Sequence, residues 1–328
     1  MRAAWFEKFG PATDVLVVGE QAAPEPREGE VLVRLETSGV NPSDVKKRAG
    51  ALPNLLDDGL VIPHSDGAGV IEAVGAGVEH REAGERVWVY QAQYGRRFGT
   101  AAEFVAIDST RAPRLAANTS FEIGACLGIP AMTAHRCVFA DGPVDGQTIV
   151  VTGGAGRVGH YAIQWASQAG ASVIATASCP DDDGVCIDAG AIAAVNHREP
   201  GWSDEVLKQT GQEKVDRVID VEFGANLPEV LRLIRTGGTI ATYSSTQVPE
   251  PKLPFLKMMF MDLTMRLVIV YAMPEEAKQQ AVDDIEQWLQ NDQLQHRVTH
   301  ALPLTEISSA HDTIEQGECR GCVVLTLN

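Results

Sequence analysis

Gly153, Gly156 and Gly159 stand three residues apart in the run Gly153-Gly154-Ala155-Gly156-Arg157-Val158-Gly159. Positions without side chains at this spacing suit one task, holding an anion on backbone N–H groups. An early glycine permits a tight turn, a middle one lets a pyrophosphate approach the backbone, and the last lets a helix pack closely on a strand. The free N–H groups at the start of that helix then face the phosphates. A glycine cluster alone is often just a loop, so the flanking residues decide. No His/Ser/Asp triad and no pair of acids stands out elsewhere, which leaves hydrolytic chemistry unsupported.

The flanks supply the context a dinucleotide loop requires. Thr148-Ile149-Val150-Val151-Thr152 is a short β-rich apolar run, and Val158, Ala162, Ile163, Trp165 and Ala166 then recur at helical spacing. Gly170 stops the helix, and Ser172-Val173-Ile174-Ala175-Thr176-Ala177 reads as a second buried strand. Before this unit, residues 1–117 are β-rich. Val31-Leu32-Val33-Arg34-Leu35, Gly69-Val70-Ile71-Glu72-Ala73-Val74 and Arg86-Val87-Trp88-Val89 are separated by Pro, Gly and acidic turns. Residues 122–140 read as a helical stretch interrupted by Pro130. Beyond the glycine loop, strands at 215–220 and 238–243 alternate with a helix at 226–234. This alternation predicts an α/β fold with a parallel, doubly wound sheet. Residues 276–291 read as a polar-faced helix and 322–327 as a closing strand.

The composition sets bounds on partners. A hydrophobic fraction of 45% with 22% charged residues is that of an ordinary globular protein. A net charge of -17 disfavours nucleic acid and anionic membrane surfaces. No apolar run reaches the length of a membrane span, and the first residues lead into no signal-peptide core, so a cytoplasmic location is expected.

Several stretches carry a family likeness: Gly39-Val40-Asn41-Pro42-Ser43-Asp44, Pro63-His64-Ser65-Asp66-Gly67-Ala68-Gly69-Val70, Gly84-Glu85-Arg86-Val87 and Gly128-Ile129-Pro130-Ala131-Met132-Thr133-Ala134. The glycine loop, Gly190-Ala191 and Val195-Asn196-His197-Arg198-Glu199 complete the set. The chain resembles the zinc-free quinone oxidoreductases of the medium-chain dehydrogenase/reductase superfamily, of the zeta-crystallin type. The resemblance implies a GroES-like β-barrel catalytic domain built from residues 1–117 and 264–328, with a Rossmann domain of residues 118–263 between them. It implies transfer of hydride from NADPH to a quinone, or alternatively to an α,β-unsaturated aldehyde or ketone. A non-enzymatic crystallin-like or RNA-binding role is the other class, which the intact glycine loop and the acidic balance argue against.

Metal is not expected. In zinc-containing relatives a Cys and a His are ligands; here Asn41 and Ser65 stand in those places. Residues 85–105 contain no Cys, so the four-cysteine structural zinc lobe has no counterpart. Cys319-x-x-Cys322 lacks a second pair, and Cys126, Cys137, Cys179 and Cys186 are scattered as reduced thiols would be.

By resemblance, Thr133 lies near the nicotinamide and Asn41 and Asp44 at the floor of the cleft. Lys46, where zeta-crystallin has a tyrosine, either polarises a carbonyl or is simply solvated. Tyr90, Gln91 and Tyr94 are expected to wall the substrate. Cofactor contacts fall to Gly153, Ala155, Gly156, Arg157, Val158, Gly159, Ser178, His197 and Arg198, and to Tyr243, Ser244, Val268, Ile269 and Val270. Ser178 replaces the acid that would repel a 2′-phosphate, and His197 with Arg198 offers donors, so NADPH is the expected cofactor. Asp181-Asp182-Asp183 pulls the other way unless it is a solvated loop. The apolar run Arg266-Leu267-Val268-Ile269-Val270-Tyr271 is read as a strand that pairs across a two-fold axis, giving a homodimer.

Overall fold

The computed structural model describes residues 1–317 and 319–327. Its strands run in chain order as β1 (Arg2–Trp5), β2 (Val17–Glu20), β3 (Glu30–Val40), β4 (Asp66–Val74), β5 (Arg86–Val89) and β6 (Phe104–Asp108). There follow β7 (Thr148–Val151), β8 (Ser172–Ala177), β9 (Ala193–Asn196), β10 (Val215–Asp220), β11 (Ile234–Thr242) and β12 (Thr264–Leu267). The chain closes with β13 (Val298–Pro303) and β14 (Cys322–Thr326).

Two compact units form, residues 1–129 with 282–328 and residues 130–281. These limits differ from 117/118 and 263/264. The short helix Phe121–Gly124 packs on β3, β4 and β5, which keeps it with the first unit. Thr264–Leu267 pairs in parallel with residues 239–242 of β11, which keeps β12 with the second.

In the first unit the sheet order is β13-β14-β3-β4-β5, with β6 also on β3. β3 alternates as its pattern demands: Val31, Val33 and Leu35 are buried while Glu30, Leu32 and Arg34 are only partly covered. Val31, Val33, Leu35, Val87, Val89 and Leu325 build its core.

In the second unit six parallel strands are ordered β12-β11-β10-β7-β8-β9. Ile149–Val151 and residues 173–177 are buried without alternation, because helices cover both faces of a parallel sheet. The chain winds outward from β7 through β8 and β9, then returns to the other side of β7 as β10. The C-terminal end of β7 is therefore the topological switch point, and the glycine loop leaves from it.

Three expectations change. Residues 122–140 are not one interrupted helix but Phe121–Gly124, a wide π-turn Leu127–Ala131 that accommodates Pro130, and the helix Met132–Phe139. The acidic run is not a loop: Asp181, Asp182 and Asp183 form the first turn of the helix Pro180–Asp188, where the N-terminal dipole favours acids. The run 266–271 is not one strand either. β12 ends at Leu267 and the chain turns into a short 3₁₀ segment, Val270–Ala272.

Candidate active site

The second unit holds the glycine loop as its spacing requires. Gly153 has a φ of 62°, its N–H donates to Thr176 Oγ1 at 3.1 Å, and Gly154 N–H donates to Thr176 O at 2.8 Å. A Cβ on Gly159 would come within 2.3 Å of Gly153 O, so the helix Arg157–Gln168 approaches its own loop only because position 159 is bare. A Cβ on Gly156 would meet only Gly153 O, at 3.1 Å, which leaves the space above it open for a ligand. Gly156 is also the N-cap and brings no side chain to cover the first turn of that helix. The loop thus fits a pyrophosphate on backbone N–H groups.

Asp220, at the end of β10, braces this loop. Thr152 Oγ1 donates to its Oδ1 at 2.6 Å, Asn226 Nδ2 donates to the same oxygen at 2.7 Å, and Val221 N–H donates to Thr152 Oγ1 at 2.9 Å. Burial raises the Asp220 carboxyl above the usual range, against these hydrogen bonds. Tyr243 lies within electrostatic range of both Arg157 and Asp220. Tyr243, Ser244 and Val268 line one cavity of about 410 Å³, with Phe223 and Leu267 as apolar walls. Ile269 is exposed instead, and Val270 is buried.

At the end of β8, Thr176 Oγ1 lies 3.3 Å from His197 Nδ1, so the expected histidine does reach the strand end. Arg198 is exposed beside it. Ser178 Oγ donates to Asp182 Oδ2 at 3.4 Å, as does Cys179 Sγ. Asp182, 3% exposed, is thereby fixed beside the residue expected to leave room for a phosphate. Thr133 is buried in the helix Met132–Phe139.

The first unit gathers Asn41 and Asp44 into a buried polar network. Asn41 N-caps the helix Pro42–Arg48, and its N–H donates to Asp44 Oδ2 at 2.9 Å. Asn41 Nδ2 donates to Asp66 Oδ2 at 2.9 Å. The lysine inside is not Lys46, which is exposed, but Lys47. Its ammonium donates to Gln93 O at 2.9 Å and Gln93 Oε1 at 2.7 Å, and lies 3.4 Å from Ser65 Oγ and 3.9 Å from Asp44 Oδ1. Burial pushes Asp44 up to about 6 despite the nearby Lys47, and pushes Asp66 up to about 8. It also lowers Lys47, against the pull of both aspartates. Such a network can hold or release a proton near neutrality.

Of the expected substrate wall, Tyr90 is buried. Its hydroxyl accepts from Arg111 and donates to Thr110 O. Gln91 is buried with a φ of 58°, and Tyr94 is exposed. Sequence reasoning missed Lys47, Asp66 and Asp220 as parts of these sites. An aspartate ending an apolar strand, as at Asp220, or flanked by Gly67 on a buried strand, as at Asp66, was the available signal.

Two family models match this chain: an alcohol dehydrogenase GroES-like domain over residues 27–117 and a zinc-binding dehydrogenase domain over residues 158–287. The quinone oxidoreductase of Rattus norvegicus is 32% identical over 247 residues, 73% of this chain and 72% of its own length. The chain belongs to the zeta-crystallin-like branch of the medium-chain dehydrogenase/reductase superfamily. This zeta-crystallin-like protein is an oxidoreductase with a GroES-like domain and a Rossmann domain. A crystal structure of an NAD-dependent alcohol dehydrogenase has a TM-score of 0.88 at 28% identity, with both chains covered fully. A mycobacterial protein complexed with NADPH also has a TM-score of 0.88, at 25% identity and full coverage of both chains. A nicotinamide cofactor therefore belongs to this fold, and the glycine loop fits one.

The zinc of the second family model's description fits poorly. Among the described residues, no group of three or more His, Cys, Asp or Glu is arranged to hold a metal ion. At the position of the usual ligands, the zeta-crystallin-like chain offers a neutral amide already bonded to Asp66 and a hydroxyl next to the Lys47 ammonium. A cation beside the donor set disfavours a second cation.

Proposed function

We propose that this oxidoreductase transfers hydride from NADPH to a quinone, with α,β-unsaturated aldehydes and ketones as the second acceptor class, and that it does so without zinc. The observation that carries this reading is the open, bare-backbone loop at the switch point, combined with a first-unit network built from an amide, two aspartates and a lysine rather than metal ligands. When bound, the reduced nicotinamide supplies the hydride, so the protein's task is placement and exclusion of water.

Gly153, Ala155, Gly156, Arg157, Val158 and Gly159 would hold the pyrophosphate, with Asp220 keeping the loop in shape through Thr152. His197, Arg198 and Ser178 would receive the adenosine ribose and its 2′-phosphate, while the buried Asp182 works against that phosphate. Tyr243, Ser244 and Val268 would line the nicotinamide side, and Thr133 would lie against that ring. Asn41 would bind the acceptor's oxygen, and the Asp44–Lys47 pair would hold the proton that follows the hydride.

We also propose a homodimer in the cytoplasm. β12 is an edge strand, and Met265, Leu267 and Ile269 are exposed along the segment that it begins. Phe255, Leu256, Met259 and Phe260 of the preceding helix are exposed too, at 69% and 79% for the two phenylalanines. An apolar open edge of this kind calls for a partner, and a second copy offers a self-complementary one.

The test of the activity is to mix the protein with NADPH and a quinone, then an alkenal, and follow nicotinamide absorbance. Oxidation with a quinone is expected. No oxidation with either acceptor class, in a preparation that binds NADPH, would refute the reading.

A further inference from the structure

Asp66 begins β4 and is wholly buried, and the groups that it bonds are an amide and a backbone N–H. One oxygen, Oδ2, does two jobs: it accepts from Asn41 Nδ2 at 2.9 Å and from Ile129 N–H at 2.8 Å. The first partner starts the helix Pro42–Arg48, and the second lies in the turn Leu127–Ala131, some sixty residues beyond Asp66 in the chain. Oδ1 has no hydrogen-bond partner among the described residues and rests against Gly128, where a Cβ would come within 2.1 Å of it. The close fit means that position 128 must stay bare for the carboxyl to reach both partners.

The backbone of Asp66 is pinned as well. Its carbonyl accepts from Thr100 Oγ1 at 2.5 Å, and Ser38 Oγ lies 2.8 Å from the same threonine oxygen. Each hydroxyl has one proton, which settles the direction of the whole chain of bonds. Thr100 gives its proton to Asp66 O, so Ser38 donates to Thr100. His64 Nδ1–H then donates to Ser38 Oγ at 2.9 Å, and His64 Nε2 accepts from His311 Nε2–H at 2.9 Å. Burial lowers the proton affinity of both imidazoles and so keeps them neutral, which leaves His64 protonated on Nδ1 and His311 on Nε2. His64 has a φ of 75°, a left-handed conformation that is uncommon outside glycine and that its ring contacts help to hold. The Asp66 carbonyl is thus tied into a chain of four side chains, while its carboxyl bonds Asn41.

We infer that Asp66 is the positioning residue of this site: its Oδ2 fixes the amide plane of Asn41 relative to the Ile129 backbone, and acts on the reaction only through Asn41. The inference rests on the reading of Asn41 as a group that binds the acceptor. With Nδ2 committed to Asp66, the Asn41 amide has one orientation, which is what a binding group requires. Charged groups facing Asp66 are Asp44 and Lys47, both from the helix Pro42–Arg48, and they pull its proton affinity in opposite directions. Burial dominates and raises the carboxyl to about 8, so at neutral pH Asp66 carries its proton and is close to an asparagine in shape and charge.

That likeness gives the test. Asp66→Ala removes the acceptor and is expected to lower kcat roughly tenfold or more, with the dissociation constant for NADPH unchanged. Asp66→Asn, which keeps an acceptor oxygen for both donors, is expected to recover most of that loss. In an Asn41→Ala background, Asp66→Ala should add less than about twofold, since residues acting through one another are not additive. Additive losses, or Asp66→Asn as impaired as Asp66→Ala, would overturn the inference. Asp66→Asn alone decides the matter if the alanine variant does not fold. A crystal structure of either variant provides an arm free of activity. The Asn41 amide should keep its plane in Asp66→Asn and lose it in Asp66→Ala; an unchanged amide in Asp66→Ala defeats the inference. A wild-type protein that oxidises no NADPH refutes the proposed function instead, and leaves the crystallographic arm to decide this one.

Discussion

Ser178 Oγ donates to the carboxylate of Asp182, at 3.4 Å, and so the residue expected to admit a phosphate is itself attached to an acid. The carboxylate is buried, so solvent screens it less than an exposed aspartate. Asp182→Asn should therefore raise the preference for NADPH over NADH, by roughly threefold for a modest like-charge repulsion. The double substitution His197→Ala/Arg198→Ala should lower it by about tenfold, the value of one charge-assisted bond. The measurement is kcat/KM for both cofactors. A selectivity that ignores both changes would place the 2′-phosphate elsewhere.

Gly156→Glu should abolish NADPH binding while leaving the fold intact. The new Cβ meets only Gly153 O at 3.1 Å, a contact that a small shift relieves, but the carboxylate enters the open space of the pyrophosphate. Fluorescence titration should show at least about a hundredfold weaker binding, as expected from one buried like charge, with Tm little altered. Unchanged affinity would remove the loop from the cofactor site.

The raised carboxyl of Asp66 has a thermodynamic consequence. In the folded state it keeps its proton up to about 8, whereas an exposed aspartate loses it near 3.8. Between those values the native state binds the extra proton, so stability falls as pH rises, by at most about 1.4 kcal/mol per pH unit. The histidine pair is common to both proteins and cancels, so from about pH 6.5 to 8 the difference between wild type and Asp66→Asn isolates this group. Denaturant unfolding should show the variant gaining on wild type across that window. Parallel stability curves would mean that Asp66 is ionised in the fold.

The histidine pair acts with the opposite sign. Burial holds His311 down to about 3 with Arg48 adding to it, and holds His64 well below 6.5 with His311 and Lys47 adding to that. Below about pH 6.5 the unfolded chain binds protons that the folded chain refuses, so stability falls as pH falls. His311→Gln, which keeps a donor for His64, should soften that acid limb. The check is Tm between about pH 4 and 7; an acid limb as steep as in wild type would count against a neutral buried pair.

Leu267→Lys should split the homodimer. Leu267 is 70% exposed on the edge strand, and a charge there would be buried on pairing. Sedimentation should give twice the 35.2 kDa chain mass for wild type and one chain mass for the variant. A wild-type monomer would leave the apolar edge unexplained by self-pairing.

What the sequence determined by itself is what neighbours along the chain decide. The glycine spacing and the flanking β and helical periodicities specified the loop, its strand and its helix, because turn geometry and burial of one face are local matters. The run of alternating strands and helices was enough for a parallel sheet, and with it for the switch point at the end of β7. Lys46 and Lys47 show where this stops. They are adjacent, but a helix turns by about 100° per residue, so one faces solvent and the other faces Gln93 and Ser65. Which of the two goes inside depends on strands that the helix meets only after folding. The same holds for Asp182, an acid in a charged run until packing sets it against Ser178, and for Asp66, whose partners Asn41 and Ile129 lie 25 and 63 residues away. Its proton affinity comes mainly from burial, and burial is a property of the assembled core rather than of any stretch of chain.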